Sequence, residues 1–231
     1  MVVQRYLEVR RRIEQAAKRV GRDPAGIALI AVSKERDPAS MQLLSDFLES
    51  RGEIPLFGES YVQEFRRKRQ VLRGPVRAHL IGALQRNKAK AAVELFDVIE
   101  SVDNLLLAEA VNKAAKGLGK LQDIFVQVNI SDDKAKHGCS AAELGTLVDY
   151  IRRYCLNLRL RGFMTITRFY DQAGMARLDY KRLYDLAQET TKGWEMPPEL
   201  SMGMSADFEE AIEEGATLVR VGSAIFEPSQ A

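Results

Sequence analysis

Apolar positions along the chain alternate between two rhythms. Tyr6, Val9, Ile13, Ala16 and Val20 recur at three- and four-residue steps between arginines, which predicts an amphipathic helix over about 3–20. Gly21 to Pro24 stops it. The apolar run from Ile27 to Ser33 has the length of a strand. Asp37-Pro38 then offers an N-cap and a first helical residue, and Met41, Leu44 and Leu48 form a helical stripe. The alternation continues, with strands predicted at 55–58, 78–82, 97–102, 124–130, 158–166, 199–204 and 218–222. Helices are predicted near 60–73, 84–95 and 104–118, from Ser140 onward, near 172–192 and near 206–214. Ser140-Ala-Ala-Glu143 has the pattern of a capping box.

Eight strands alternating with helices imply a parallel sheet covered by helices. Eight such units in a chain of 231 residues match a closed (β/α)8 TIM-type barrel at the small end of its size range. A doubly wound open sheet is the competing arrangement. No linker, low-complexity stretch or charge block divides the chain. One domain is expected over 1–231, with an extra N-terminal helix at about 3–20 and the barrel at about 27–226.

Composition narrows the function. Apolar residues make up 46% and charged residues 29%, as in an ordinary globular protein. No apolar run reaches the roughly 20 residues of a membrane span. The charged start MVVQRYLEVRRR lacks the apolar stretch of a signal peptide, so a cytoplasmic protein without membrane attachment is expected. Lys plus Arg is 34 and Asp plus Glu is 32, a net of +2, which gives no general pull toward nucleic acid. The run Arg66-Arg67-Lys68-Arg69 reads as a solvated helix face. Arg86, Lys88 and Lys90 could extend it into a basic patch, but no clustered aromatic side chains or nucleic-acid motif accompany it, so no nucleic-acid partner is expected. Cys139, Cys155, His79 and His137 show no metal-ligand spacing, so no metal is expected, and the two thiols read as reduced.

In a barrel, chemistry sits at the C-terminal ends of the strands. Lys34 lies just past strand 1. Ile30, Val32 and Lys34 share one face of that strand and Leu29, Ala31 and Ser33 the other, and either could point inward. Inward, Lys34 would be a partly desolvated amine suited to Schiff-base chemistry; outward, an ordinary surface lysine. After strand 7, Met202-Gly203-Met204-Ser205 runs into a helical pattern with Ser205 at the N-cap position. After strand 8, Gly222-Ser223-Ala224 offers small residues whose amides a ligand can approach. Barrels often hold phosphate between these two loops, although capping and tight turns explain each loop singly. Arg220, in mid-strand, either turns outward to a helix carboxylate or inward to the mouth. His79 reads equally as pocket lining or as a satisfied core histidine. The 132–137 segment reads as a solvated loop from which Lys136 could reach an anion, with His137 at the surface.

Several of these segments together resemble a known family. They are Ala31-Val32-Ser33-Lys34, Phe57-Gly58-Glu59-Ser60-Tyr61-Val62-Gln63-Glu64, and the run from His79 to Lys88. Gly162 to Ile166, Leu200 to Phe208 and Val219 to Phe226 complete the set. Over about residues 5–227 the chain resembles the pyridoxal phosphate homeostasis proteins, which look like the barrel domain of alanine racemase standing alone. The resemblance implies a single barrel of PLP fold type III that binds pyridoxal 5′-phosphate (PLP). It matches Lys34 to the Schiff-base lysine, Arg220 to the arginine facing the pyridine nitrogen, and Ser205, Gly222 and Ser223 to the phosphate site. Met164, Ile81, Ser60 and His79 match positions near the cofactor. The family commonly has Asn at the position of Ser60 and Thr-Lys at Glu35-Arg36, so a cofactor contact from Ser60 and a second lysine amine are missing or shortened here.

The resemblance also implies a role: keeping free PLP low and supplying it, with PLP-dependent apo-enzymes as potential recipients and the chain as a monomer. A charged arginine opposite the pyridine nitrogen disfavours its protonation and makes the ring a weak electron sink. Racemases with that arrangement add a second base from another domain, and only nine residues follow Gly222. A carrier or regulator without catalytic residues is therefore expected. A weak amino-acid racemase, or a Schiff-base aldolase acting on a sugar phosphate, are the alternatives.

Overall fold

The computed structural model describes residues 1–133, 135–168, 170 and 174–226. The expected helix start at 172, Lys134 of the solvated loop and the chain beyond 226 lie outside the described residues. The strands are β1 (Ala28–Val32), β2 (Leu56–Glu59), β3 (Arg77–Leu80), β4 (Val98–Val102), β5 (Gln122–Gln127), β6 (Leu158–Met164), β7 (Glu199–Ser201) and β8 (Leu218–Val221). All neighbours are parallel, and β8 pairs back onto β1, with Ile30 opposite Arg220. The sheet is therefore a closed barrel, and the open doubly wound alternative is excluded.

The helices are α1 (Val2–Arg19), α2 (Pro38–Glu49), α3 (Val62–Val71), α4 (Ala89–Leu95), α5 (Leu105–Gly117), α6 (Ala141–Tyr154), α7 (Met175–Thr190), α8 (Phe208–Glu213) and α9 (Ser223–Phe226). Local chemistry sets many of the boundaries. Asp37 accepts a hydrogen bond from Ala39 N at the start of α2. Ser140 and Glu143 close a reciprocal capping box on α6. Gly21, at φ +69°, ends α1 in the left-handed conformation that lets the Arg22 amide reach back to Ala17 O. The helix expected from 84 starts at Ala89, after a short 3-10 turn at Arg86–Lys88. The helix expected from 206 starts at Phe208, so Ser205 is not its N-cap.

The apolar residues divide into two cores. A large one fills the space between the sheet and the helices, including α1, whose Arg12 and Arg19 pair with Glu209 and Glu213 on α8. A small one lies inside the barrel and consists of Ile30, Val98, Phe125, Met164 and Leu218. Among the described residues no helix is long and apolar enough to cross a membrane.

Candidate functional site at the C-terminal mouth of the barrel

Ile30 inside the barrel decides the face of β1: Ile30 and Val32 point inward and Ser33 outward. Lys34 follows in a turn two residues past the strand end and is solvent-exposed, so the desolvated lysine that an inward strand position suggested is not found. Glu35, next to it, adopts φ +59°.

Arg220 is turned inward and buried, 3% exposed. Its two terminal nitrogens donate to Ser201 Oγ at 2.7 Å and to Thr165 O at 2.6 Å, at the ends of β7 and β6. Ser201 Oγ in turn donates to Glu100 Oε2 at 2.6 Å, and Glu100 Oε1 accepts from His79 Nδ1 at 2.5 Å. Because β4 and β7 are not neighbours in the ring, the Glu100–Ser201 bond can only cross the barrel interior. Burial alone pushes the Glu100 carboxyl up. The hydrogen bond from His79, the charges of His79 and Arg220 and the Ser201 hydroxyl outweigh it and hold the carboxyl below the usual carboxylate range. Burial pulls Arg220 down, opposed by the negative charge of Glu100. Above its small apolar core, then, the barrel contains a polar chain that fixes the arginine in place.

The loops after β7 and β8 touch. Gly222 N donates to Ser205 Oγ at 3.3 Å, which is what Ser205 does in place of capping α8. Asp207 stands at the N-cap position without a side-chain capping bond; its Oδ1 accepts from Met204 N at 2.7 Å and ties down the loop that precedes the helix. Gly203 holds φ +92° with its missing Cβ directed at Ala211 Cβ, 2.6 Å away, so only glycine fits the entry to this loop. Gly222 and Gly58 present bare backbone toward Val32 and Ile30. Ile81 lies against Gly58, and Met164 is in the inner core. Ser60 is half-buried, its backbone pressed against Gly82.

His79 is the satisfied interior histidine of the two readings offered by sequence. It is also among the residues that line a cavity of about 1000 Å³ at the opposite, N-terminal end of the barrel, with Arg22, Arg77, Phe125 and Tyr184. His137 is exposed and Lys136 half-buried. Lys68 contradicts the solvated-face expectation: it is 5% exposed and bonded to Glu59 and to Ser33 O. No group of three or more potential metal ligands occurs among the described residues.

Sequence reasoning missed Glu100 and Lys68. Glu100 had one signal, a lone carboxylate in the apolar run Val98 to Val102. Lys68 had another, its place on the stripe Val62, Phe65, Lys68 that faces the core.

Together these features define a class: a closed parallel barrel whose candidate site combines a lysine after β1, a fixed arginine on β8 and joined small-residue loops after β7 and β8. Residues 7–230 match the alanine racemase N-terminal domain. The pyridoxal phosphate homeostasis protein of Pseudomonas aeruginosa is 36% identical over 97% of this chain and 94% of its own length. That of Homo sapiens is 39% identical, over 94% of this chain and 83% of its own. The solved structure of PipY from Synechococcus elongatus with PLP bound is 31% identical, with a TM-score of 0.83 over 98% of this chain and 100% of that one. An alanine racemase of Clostridium difficile shares the fold, with a TM-score of 0.71 at 16% identity, and this chain spans 56% of it. The chain belongs to the pyridoxal phosphate homeostasis proteins, within the alanine racemase N-terminal domain family.

Proposed function

We propose that the barrel mouth binds pyridoxal 5′-phosphate and that the protein acts in cytoplasmic PLP homeostasis as a carrier or regulator. One observation carries the reading: closure of β8 onto β1 brings the lysine-bearing turn beside the Gly222 loop that Ser205 joins. The names of the relatives and the PLP in the PipY structure support it.

The residues present fit the group. Gly58 and Gly222 add no side chain of their own at the mouth and let Ile30, Ile81 and Val32 pack closely against the backbone, and the donors are one primary amine, two hydroxyls and main-chain amides. When bound, PLP supplies an aldehyde for a primary amine and a pyridine ring that withdraws electrons. Lys34 would hold the aldehyde carbon, and Ser205, Gly222 and Ser223 the phosphate. Met164 and Ile81 would flank the ring and Ser60 would stand at its edge. Arg220 would direct a remaining N–H toward the pyridine nitrogen and keep a proton off it. With that nitrogen unprotonated, the protein stores and releases PLP and does not turn over amino acids, and apo-enzymes that require PLP are the recipients.

Borohydride reduction of the PLP-loaded protein followed by peptide mapping should place the pyridoxyl group on Lys34. Labelling confined to Lys136, or none, refutes the assignment. A racemase reading would require Cα exchange of alanine in heavy water at about 1–10³ per second; the carrier reading requires exchange far slower than that.

A further inference from the structure

The turn that carries Lys34 is gripped from behind. Ser33 O accepts the i+3 bond from Arg36 N at 3.1 Å and also the Lys68 ammonium at 2.5 Å. Glu35 N donates to Glu64 Oε1 at 2.6 Å. Lys68 Nζ pairs with that same Glu64 oxygen at 2.5 Å and donates to Glu59 Oε1 at 2.9 Å, which also accepts from Ser33 Oγ at 2.7 Å. Two residues of α3 thus hold the backbone on both sides of Lys34.

This arrangement is costly. Lys68 and Glu59 have side chains 6% and 0% exposed, and Glu59 Oε2 has no partner among the described residues. An apolar cluster of the same volume would serve stability as well or better. It could not satisfy Ser33 O and Glu35 N together, and Glu35 sits in the left-handed region that a residue with a Cβ avoids. Backbone held in such a conformation persists only where its surroundings over-determine it, and it gathers at functional sites.

We propose that Lys68, acting through Glu64 and Glu59, is a positioning residue that locks the Ser33–Arg36 turn and so presents Lys34 to the aldehyde of PLP. The inference rests on the binding reading above. The role differs from that of a general structural lysine because it acts on the amine and not on the phosphate or ring subsites.

The experiment compares two ligands. PLP requires Lys34; pyridoxine 5′-phosphate carries an alcohol in place of the aldehyde and requires only the ring and phosphate contacts. In Lys68→Met, PLP uptake should slow and its affinity fall by about 10-fold or more, the equivalent of one lost charged hydrogen bond, with pyridoxine 5′-phosphate affinity unchanged. Amide exchange at Glu35 should accelerate by a similar factor in the ligand-free protein, and Lys68→Arg should restore much of both. Glu64→Gln, at a half-buried position, provides a milder second variant with the same expected selectivity should Lys68→Met not fold. Equal losses for both ligands, or wild-type PLP uptake in the folded variants, overturn the proposal and leave PLP binding standing. Absence of PLP uptake by the wild type overturns both.

Discussion

Replacing Glu100 by Gln keeps the shape of the side chain and deletes its charge, and the structure gives the expected cost. Glu100 is fully buried, accepts from His79 at 2.5 Å and from Ser201 at 2.6 Å, and through Ser201 faces the buried Arg220. Hydrogen bonds to a charged group contribute about 1.5–3 kcal/mol each, and removing one partner of a buried ion pair costs about 3–5 kcal/mol. These describe the same loss twice, so about 3–5 kcal/mol is expected. For a chain of this size, each kcal/mol moves the melting midpoint by about 2–4 °C, which places the variant roughly 6–20 °C below the wild type at neutral pH. Circular dichroism melts against pH provide the assay. Because the folded carboxyl is held below its ordinary value, its stabilisation is present above that value and is lost as pH falls through the folded one. The gap between wild type and Glu100→Gln should therefore narrow in acid. A loss under about 1 kcal/mol, or a gap that stays constant from neutral pH into acid, would refute the account of Glu100 as the counter-charge of the barrel interior.

Three further outcomes are expected. Ser205→Ala and Ser223→Ala should each weaken PLP retention by about 10- to 150-fold in equilibrium dialysis without unfolding the barrel, and unchanged retention in the double variant would place the phosphate elsewhere. Gly203→Ala, at φ +92° and 2.6 Å from Ala211 Cβ, should lower the urea-unfolding free energy by about 1–3 kcal/mol. Burial pushes the Cys139 thiol from about 9 up to about 12, with Glu143 and Asp103 adding to it, so the folded protein should resist thiol reagents at mildly alkaline pH. Stability from this group is full below the unfolded value and declines as pH rises from about 9 toward 12; an unfolding free energy that rises over that range would contradict it.

The order of elements was legible in the sequence because parallel strands buried on both faces read as apolar runs, and because Asp37-Pro38 and Ser140 to Glu143 announce their helices. Boundaries were less so. Ser205 has the chemistry of an N-cap, but the left-handed turn at Gly203 and the loop after it carry the chain two residues further before α8 begins, and the Ser205 hydroxyl turns to Gly222. The residues of the mouth could be collected from strand ends alone. Their supports could not: Glu100 is given meaning by Ser201 and Arg220, which reach it only across a closed ring. Lys68 was concealed by its arginine neighbours, although its spacing from Phe65 placed it on the buried stripe.

The pairing of β1 with β8 also has a consequence for biosynthesis. Lys34 is synthesised well before Arg220, Gly222 and Ser223, so during synthesis the two sides of the mouth exist separately until β8 docks on β1. A ligand that spans them recognises the closed ring alone. It therefore draws the folding equilibrium toward closure by mass action, in proportion to the logarithm of its free concentration. A cell poor in that ligand would hold the same polypeptide less firmly shut, and the lifetime of the protein would itself register the supply.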